Sequence, residues 1–259
     1  MEPQTAYQQD RVQYVQKIAA LFGGYKQRSL EFLQVAPGQT ILDVGCGAGD
    51  DALAIATKLG PQTTVVGVDS SEDMLASARQ RAAALSHVTF QAGTAYALPF
   101  EGPTFDRVRA DRVFQHLDQP GKALDEMIRV TQPGGWITVL DVDWASLCID
   151  SSDSDFTQAF LRAHYQVHVN GSAGLHLYRQ FKESALTDVE VYAETVCVTE
   201  WPIANMIWGL EPAAQQIMKA GLLPTETVEA WLKDLQARSE QGTFFGAITG
   251  FAARGRKPE

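Results

Sequence analysis

The chain has no apolar run approaching the ~18 residues of a membrane span, and its opening stretch, MEPQTAYQQDRVQYVQ, holds no apolar signal core. It is expected to be soluble and cytoplasmic, with no membrane span. Cysteine is scarce: Cys46, Cys148 and Cys197 are widely spaced and form no CxxC pair. That argues against a disulfide framework and against a zinc site, so a reducing compartment fits and no metal is expected. Basic residues are also in short supply, 21 Lys+Arg against 31 Asp+Glu for a formal net charge of -10. Such a surface repels polyanions, and nucleic acid is not expected as a partner. Internal repeats and low-complexity tracts are missing as well.

What is present suits an ordinary globule. With 45% hydrophobic residues over 259 positions, the chain can build one large α/β domain or two small ones. Asp10 to Val35 reads as one or two amphipathic helices, and Pro37-Gly38 ends that region. Strand-like and helix-like patterns then alternate: strand Thr40 to Val44, helix Asp50 to Leu59, strand Thr64 to Val68, helix Met74 to Leu85 and strand His87 to Gln91. Strand Phe105 to Ala110, helix Lys122 to Val130, a Pro133-Gly134-Gly135 turn and strand Trp136 to Leu140 follow. Strands separated by helices predict a parallel sheet covered on both faces. Beyond a Ser/Asp loop at Asp150 to Asp155, residues 156 to 186 look helical, Val189 to Thr199 alternates as a strand, Ile203 to Ala237 is helical, and Thr243 to Ala253 is a last strand.

The stretch ILDVGCGAGDDALAIA, residues 41 to 56, is the strand, loop and helix at which such a sheet would bind a ligand, outside the carboxyl ends of its strands. A dinucleotide loop would read GxGxxG and offer a helix N-terminus to a pyrophosphate. Here the third glycine comes one residue early, and Asp50 and Asp51 occupy the first helical turn, where they suit the dipole but compete with phosphate. Asp43 adds a third carboxylate. A phosphate-free ligand with a positive end fits this loop better.

Four motifs in order, LDVGCGAG, VVGVDSSEDMLASAR, AYALPFEGPTFDRVRADRVFQHL and VTQPGGWITVLDVDW, resemble those of class I S-adenosylmethionine-dependent methyltransferases, in the branch similar to the ubiquinone/menaquinone and small-molecule enzymes. The resemblance covers roughly residues 25 to 145, and GTFFGAITGFAARGRKP looks like that branch's last strand. It implies a doubly wound, seven-stranded, mostly parallel α/β sheet with an antiparallel last strand, a Rossmann-like fold; the helical insertions flanking its late strands are expected to form a substrate lid, the alternative being extra helices that complete the core. The expected organisation is a single methyltransferase domain over 1-259. Residues 1-35 would cover the cofactor site, 36-144 form the cofactor-binding core, 145-240 shape the substrate site around strand six, and 241-259 supply the last strand and tail.

The resemblance also implies S-adenosylmethionine as cofactor and S-adenosylhomocysteine as its product. Asp43, Gly45, Gly47 and Gly49 match the loop around the methionine part and sulfonium, and Asp69 matches the acidic residue that accepts the ribose hydroxyls. Ser70 and Met74 match positions beside ribose and adenine, although a helix-face methionine also suits a core. Many relatives carry an acidic residue where this chain has Thr94, so the adenine contact falls to the Thr94 hydroxyl or to Ala95. Ala110 and Asp111 are expected at the methionine end. Arg28 suits the cofactor carboxylate, or is simply solvated.

Methyl transfer needs a base only if the nucleophile carries a proton. His116 in RVFQHL is the candidate, since imidazole titrates near neutrality; the alternative is that it fixes the loop through a backbone hydrogen bond. His164 and His168 stand at a spacing that suits one helix face, but no third metal ligand is near. Together with Tyr14, Tyr25, Trp144 and Tyr165 they are candidates to line the mouth of a site for a small, apolar or aromatic substrate. The expected activity is methyl transfer from S-adenosylmethionine to an O, N or C nucleophile of a small metabolite. The competing reading is an S-adenosylmethionine-binding protein with a regulatory or other non-transfer role.

Overall fold

The computed structural model describes Tyr25 and residues 27–259. Most of the expected N-terminal helical region, and with it Tyr14, lies outside the described residues; residues 27–33 are helical. From there the alternation runs β1 (Thr40–Val44), α1 (Asp50–Leu59), β2 (Thr64–Asp69), α2 (Glu72–Arg81), β3 (Val88–Ala92), β4 (Phe105–Asp111), α3 (Pro120–Val130) and β5 (Thr131–Ile149). It continues with α4 (Ser154–Gln166), α5 (Ala173–Glu183), β6 (Thr187–Val198), α6 (Trp201–Trp208), α7 (Leu210–Lys219), α8 (Thr225–Glu240) and β7 (Gly246–Arg256).

The strands form one seven-stranded sheet in the order β3-β2-β1-β4-β5-β7-β6. β1 pairs in parallel with β2 and β4, β2 with β3, and β4 with β5. β7 runs against β5, because Gly134 pairs with Lys257 while Asp150 pairs with Phe245. It also runs against β6, since Thr187 meets Arg256 and Thr195 meets Thr249. Period-two alternation divides the core between two faces. Leu42, Val44, Val108, Val139 and Ala110 pack with Leu124 and Met127 of α3 and Leu177 and Phe181 of α5. Ile41 and Val65 pack with Ala52 and Ile55 of α1 and Leu75 and Ala78 of α2. Ser71 caps α2, its hydroxyl accepting from the Met74 amide.

Three elements differ from expectation. Pro133-Gly134-Gly135 does not end a segment: it lies within β5, and the β4–β5 register steps from Phe105↔Thr131 to Arg107↔Trp136, a bulge that absorbs the extra residues. The helix expected over 156 to 186 breaks at 167–172, VHVNGS, where β-branched residues and an Asn-Gly turn signal interrupt it. His164 and His168 therefore do not share a helix. The run from 203 to 237 is three helices, the first two separated by Gly209 in the left-handed conformation at φ 62°.

The chain divides into two compact units. One holds residues 29–143, 168–193 and 250–259; the other holds 144–167, 194–249 and the described residues up to 28. The stretch 145-240 is thus shared between them, with 168–193 supplying α5 and most of β6 to the first. The second has an aromatic core of its own, where the Phe160 and Trp231 rings lie 4.2 Å apart and the Trp231 indole donates to Thr157 at 2.8 Å.

Candidate active site

The glycine loop between β1 and α1 holds Gly45, Gly47 and Gly49 at φ of 70°, 51° and 81°, a region open to glycine and costly for other residues. The amides of Gly45 and Cys46 both donate to the Val68 carbonyl, at 2.7 and 3.1 Å, which ties the loop to the end of β2. A Cβ on Gly45 would lie 2.4 Å from the Val113 side chain, and one on Gly49 2.7 Å from the Phe90 ring. One on Gly47 would meet nothing within 4 Å, so that position leaves the backbone open to approach.

Asp69, the last residue of β2, completes this cradle. One carboxylate oxygen accepts from the Gly47 amide at 2.8 Å and the other from the Ser71 amide at 2.9 Å. Asp69 and Ser70 line a cavity of about 490 Å³ together with Gly45 and Val68. Gly93, Thr94, Ala95 and Tyr96, following β3, form a second part of its wall. Arg112, Val113, His116 and Leu117, following β4, form a third. Gly45, Asp69, Ser70, Thr94, Ala95 and His116, all singled out in the sequence, are thus brought to one cavity. Tyr96, Arg112, Val113 and Leu117 join them unforeseen, although each lies within two residues of an expected one. His116 belongs to a short 3-10 turn, Phe114–His116. Desolvation by its surroundings holds its pKa below the ordinary imidazole value, which favours the neutral ring, the form that can accept a proton.

Asp43 and Asp111 do not line this cavity. Asp43 sits opposite Arg109 in the β1–β4 register and is 3% exposed. The Arg109 guanidinium, itself 2% exposed, donates to Asp43 at 2.9 Å, to Asp51 at 3.0 Å and to Asp111 at 3.0 Å. Burial, opposed by Arg109 and reinforced by Asp51 and Asp111, pushes the Asp43 carboxyl up to about 7. For Arg109 burial works against the charge, yet the three carboxylates leave its pKa above the ordinary value. Expected at a ligand, Asp43 and Asp111 instead turn oxygens to a buried cation. Arg109 was missed in the sequence. Its signal was an arginine between the apolar Val108 and Ala110 in the middle of a strand expected to be buried, a position that demands a counter-charge. Asp50 instead pairs with Arg81 at the surface, at 2.6 Å.

Other expected residues stand elsewhere. Ala110 is fully buried in the core, and Met74 on α2 is 50% exposed and outside the cavity wall. Arg28 and Tyr25 belong to the second unit, where the Arg28 guanidinium pairs with Glu194 at 2.9 Å. His164 is 1% exposed with Nε2 2.8 Å from the Trp208 carbonyl, so it is a satisfied core histidine rather than a substrate contact. Trp144 and Tyr165 line a smaller cavity of about 250 Å³ within the second unit. His168 falls in the first unit, in the break before α5.

A family model described as a methyltransferase domain matches residues 36–186. An uncharacterised 37.1 kDa protein in transposon TN4556 of Streptomyces fradiae is 34% identical over 243 residues, covering 93% of this chain and 69% of that one. The demethylmenaquinone methyltransferase of Shouchella clausii is 36% identical over 119 residues, 45% of this chain and 51% of that one. The chain therefore spans about half the length of that enzyme. In structure, phosphoethanolamine N-methyltransferase 2 of Haemonchus contortus, solved with S-adenosyl-L-methionine, matches with a TM-score of 0.59 at 21% identity, over 93% of this chain and 56% of that one. That likeness shows the fold.

The chain belongs to the class I S-adenosylmethionine-dependent methyltransferases.

The cradle fits that family's cofactor. The volume suits a nucleoside joined to an amino acid. Each Asp69 oxygen, although it already accepts one backbone amide, keeps a further lone pair for a ribose hydroxyl. The open face of Gly47 allows close approach of an extended chain. No helix among the described residues is long and apolar enough to cross a membrane.

Proposed function

We propose that this methyltransferase acts on an O, N or C nucleophile of a small-molecule metabolite, placing it for in-line displacement in the cavity that Asp69 and His116 share. The single observation that carries this reading is that shared cavity: the residue suited to the ribose and the residue suited to a proton line one cavity. When bound, S-adenosylmethionine supplies both the electrophilic methyl group and the leaving group. What remains for the protein is placement, worth about 7–11 kcal/mol in well-oriented reactions, and removal of a proton where the nucleophile carries one. Asp69, Ser70, Thr94 and Ala95 bind the nucleoside part, and the glycine loop follows the amino-acid part. His116 accepts the proton at its neutral imidazole nitrogen. Leu117 and Val113 give that region an apolar surface, in keeping with an apolar or aromatic acceptor.

The test is calorimetric titration with S-adenosylmethionine and S-adenosylhomocysteine, followed by mass-spectrometric assay of a panel of phenols, amines and quinols, demethylmenaquinone among them. Saturable binding and one methylated acceptor are expected. His116→Ala should then lower the transfer rate by about 10²–10⁴-fold if the acceptor is protonated. Absence of binding sinks the reading, and binding without any methylated product moves it toward a regulatory role.

A further inference from the structure

The segment 112–119 forms one wall of the cavity and starts from an unfavourable backbone. Arg112 has φ 57°, a conformation that a non-glycine residue holds only when its surroundings enforce it. Three side chains from outside the segment hydrogen-bond to its backbone. Asp141 in β5 accepts the Gln115 amide at 3.0 Å with one carboxylate oxygen and the Val142 amide at 2.9 Å with the other. Asn170, before α5, donates its side-chain amide to the Phe114 carbonyl at 3.1 Å, and its backbone amide to the Gln115 carbonyl at 3.0 Å. At the far end, the Tyr96 hydroxyl accepts from the amides of Asp118 and Gln119, at 3.2 and 3.4 Å, and donates to the Asp118 carboxylate. The Arg112 amide itself bonds the Leu140 carbonyl at 2.9 Å.

We propose that Asp141, Asn170 and Tyr96 are positioning residues that clamp the backbone of 112–119 and so aim His116 and Leu117 into the cavity. The inference deepens the reading of that cavity as the site of transfer and rests on it. A carboxylate 1% exposed is a costly residue for a strand, and burial, with Asp111 adding repulsion, pushes Asp141 up to about 7. An aliphatic side chain would fill that volume at lower cost but would remove the carboxylate that accepts the Gln115 amide. The close fit around Asp141 points the same way: a Cβ on Gly174 would lie 2.4 Å from the Asp141 carbonyl oxygen, so glycine there lets the start of α5, and Asn170 just before it, approach β5.

The experiment is amide hydrogen exchange by NMR on the full chain, free and with S-adenosylhomocysteine, for wild type, Asp141→Asn, Asn170→Ala and Tyr96→Phe. In Asp141→Asn the Gln115 amide should exchange about 10–10²-fold faster, as loss of a charge-assisted bond implies, while the β1 and β2 amides keep their rates. His116 ring signals should shift or split, and affinity for S-adenosylhomocysteine should stay within about twofold, because the Asp69 cradle is untouched. With the acceptor found by the panel, kcat should fall about 10²-fold with KM for S-adenosylmethionine held, the signature of lost aim. Unchanged Gln115 exchange and unchanged His116 signals overturn the proposal. Should Asp141→Asn fail to fold, Tyr96→Phe decides: faster exchange at Asp118 and Gln119 supports the clamp, and unchanged rates overturn it. Failure of wild type to bind S-adenosylhomocysteine would instead overturn the transfer reading, since exchange in the free protein reports the clamp alone.

Discussion

Asp43 and Asp69 lie at the carboxyl-terminal parts of neighbouring parallel strands and point to the same face of the sheet, yet they do opposite work. Asp43 lies across from Gly67 in the β1–β2 register, so Asp69 stands two residues further along, about 6.6 Å at 3.3 Å per residue. That distance takes the carboxylate from beneath the glycine loop to the rim of the cavity. Beneath the loop, Asp43 meets Arg109 and joins a cluster of three carboxylates on one guanidinium. At the rim, Asp69 accepts the Gly47 amide of the loop and the Ser71 amide, and faces the cavity. Two aspartates of equal rank in the sequence thus divide into one that pairs with a buried cation and one that faces the cavity, and the division is set by height along the strand.

Breaking the buried side should have the largest effect. Arg109→Leu leaves Asp43, Asp51 and Asp111 without their shared cation, and unpairing a buried charge costs about 3–5 kcal/mol. Thermal unfolding should show a midpoint lowered by about 10 °C, with cofactor affinity lost only as far as the fold is lost. Breaking the rim should do the reverse. Asp69→Ala removes the ribose acceptor proposed above and should weaken S-adenosylmethionine by about 10–10²-fold in calorimetry, with a melting curve close to wild type. A variant in which both properties fall together would erase the distinction between the two carboxylates.

The smallest effect sharpens the comparison through pH. Asp43 and Asp141 both have pKa values raised to about 7, from about 4 in the unfolded chain. Between those values the folded protein binds more protons than the unfolded one. The contribution is therefore fully present below pH ~4 and lost as pH rises through ~7. Melting midpoints should decline from pH 5 to pH 8 in wild type, and more gently in Asp141→Asn, where one of the two groups no longer titrates. A decline of equal steepness in both would remove Asp141 from the account.

Much of this was legible before the fold was known. Thr40–Val44 and Asp50–Leu59 fall where apolar periodicity and the flanking glycines put them, because a buried strand and an amphipathic helix are specified by neighbouring residues. Asp69, Thr94 and His116 were placed by their motifs, each at the carboxyl end of a strand or just beyond it. Less legible was β5, whose Pro133-Gly134-Gly135 reads locally as a turn and is absorbed as a bulge through pairing with β4. The break at 167–172 was foreshadowed by its Asn-Gly, but a helical pattern on both sides masked it.

Local chemistry in the chain was therefore enough to specify the order of strands and helices from β1 to α3, the glycine loop and the family to which it belongs. Contacts between residues far apart in the chain needed the folded molecule. Arg109 finds Asp43 across 66 positions, and Asp141 finds the Gln115 amide across 26. Such pairings depend on strand register and on which side chains lose water together, and no window of sequence contains both partners. For that reason the roles of Asp43 and Asp69, alike as residues, parted only once the sheet had formed.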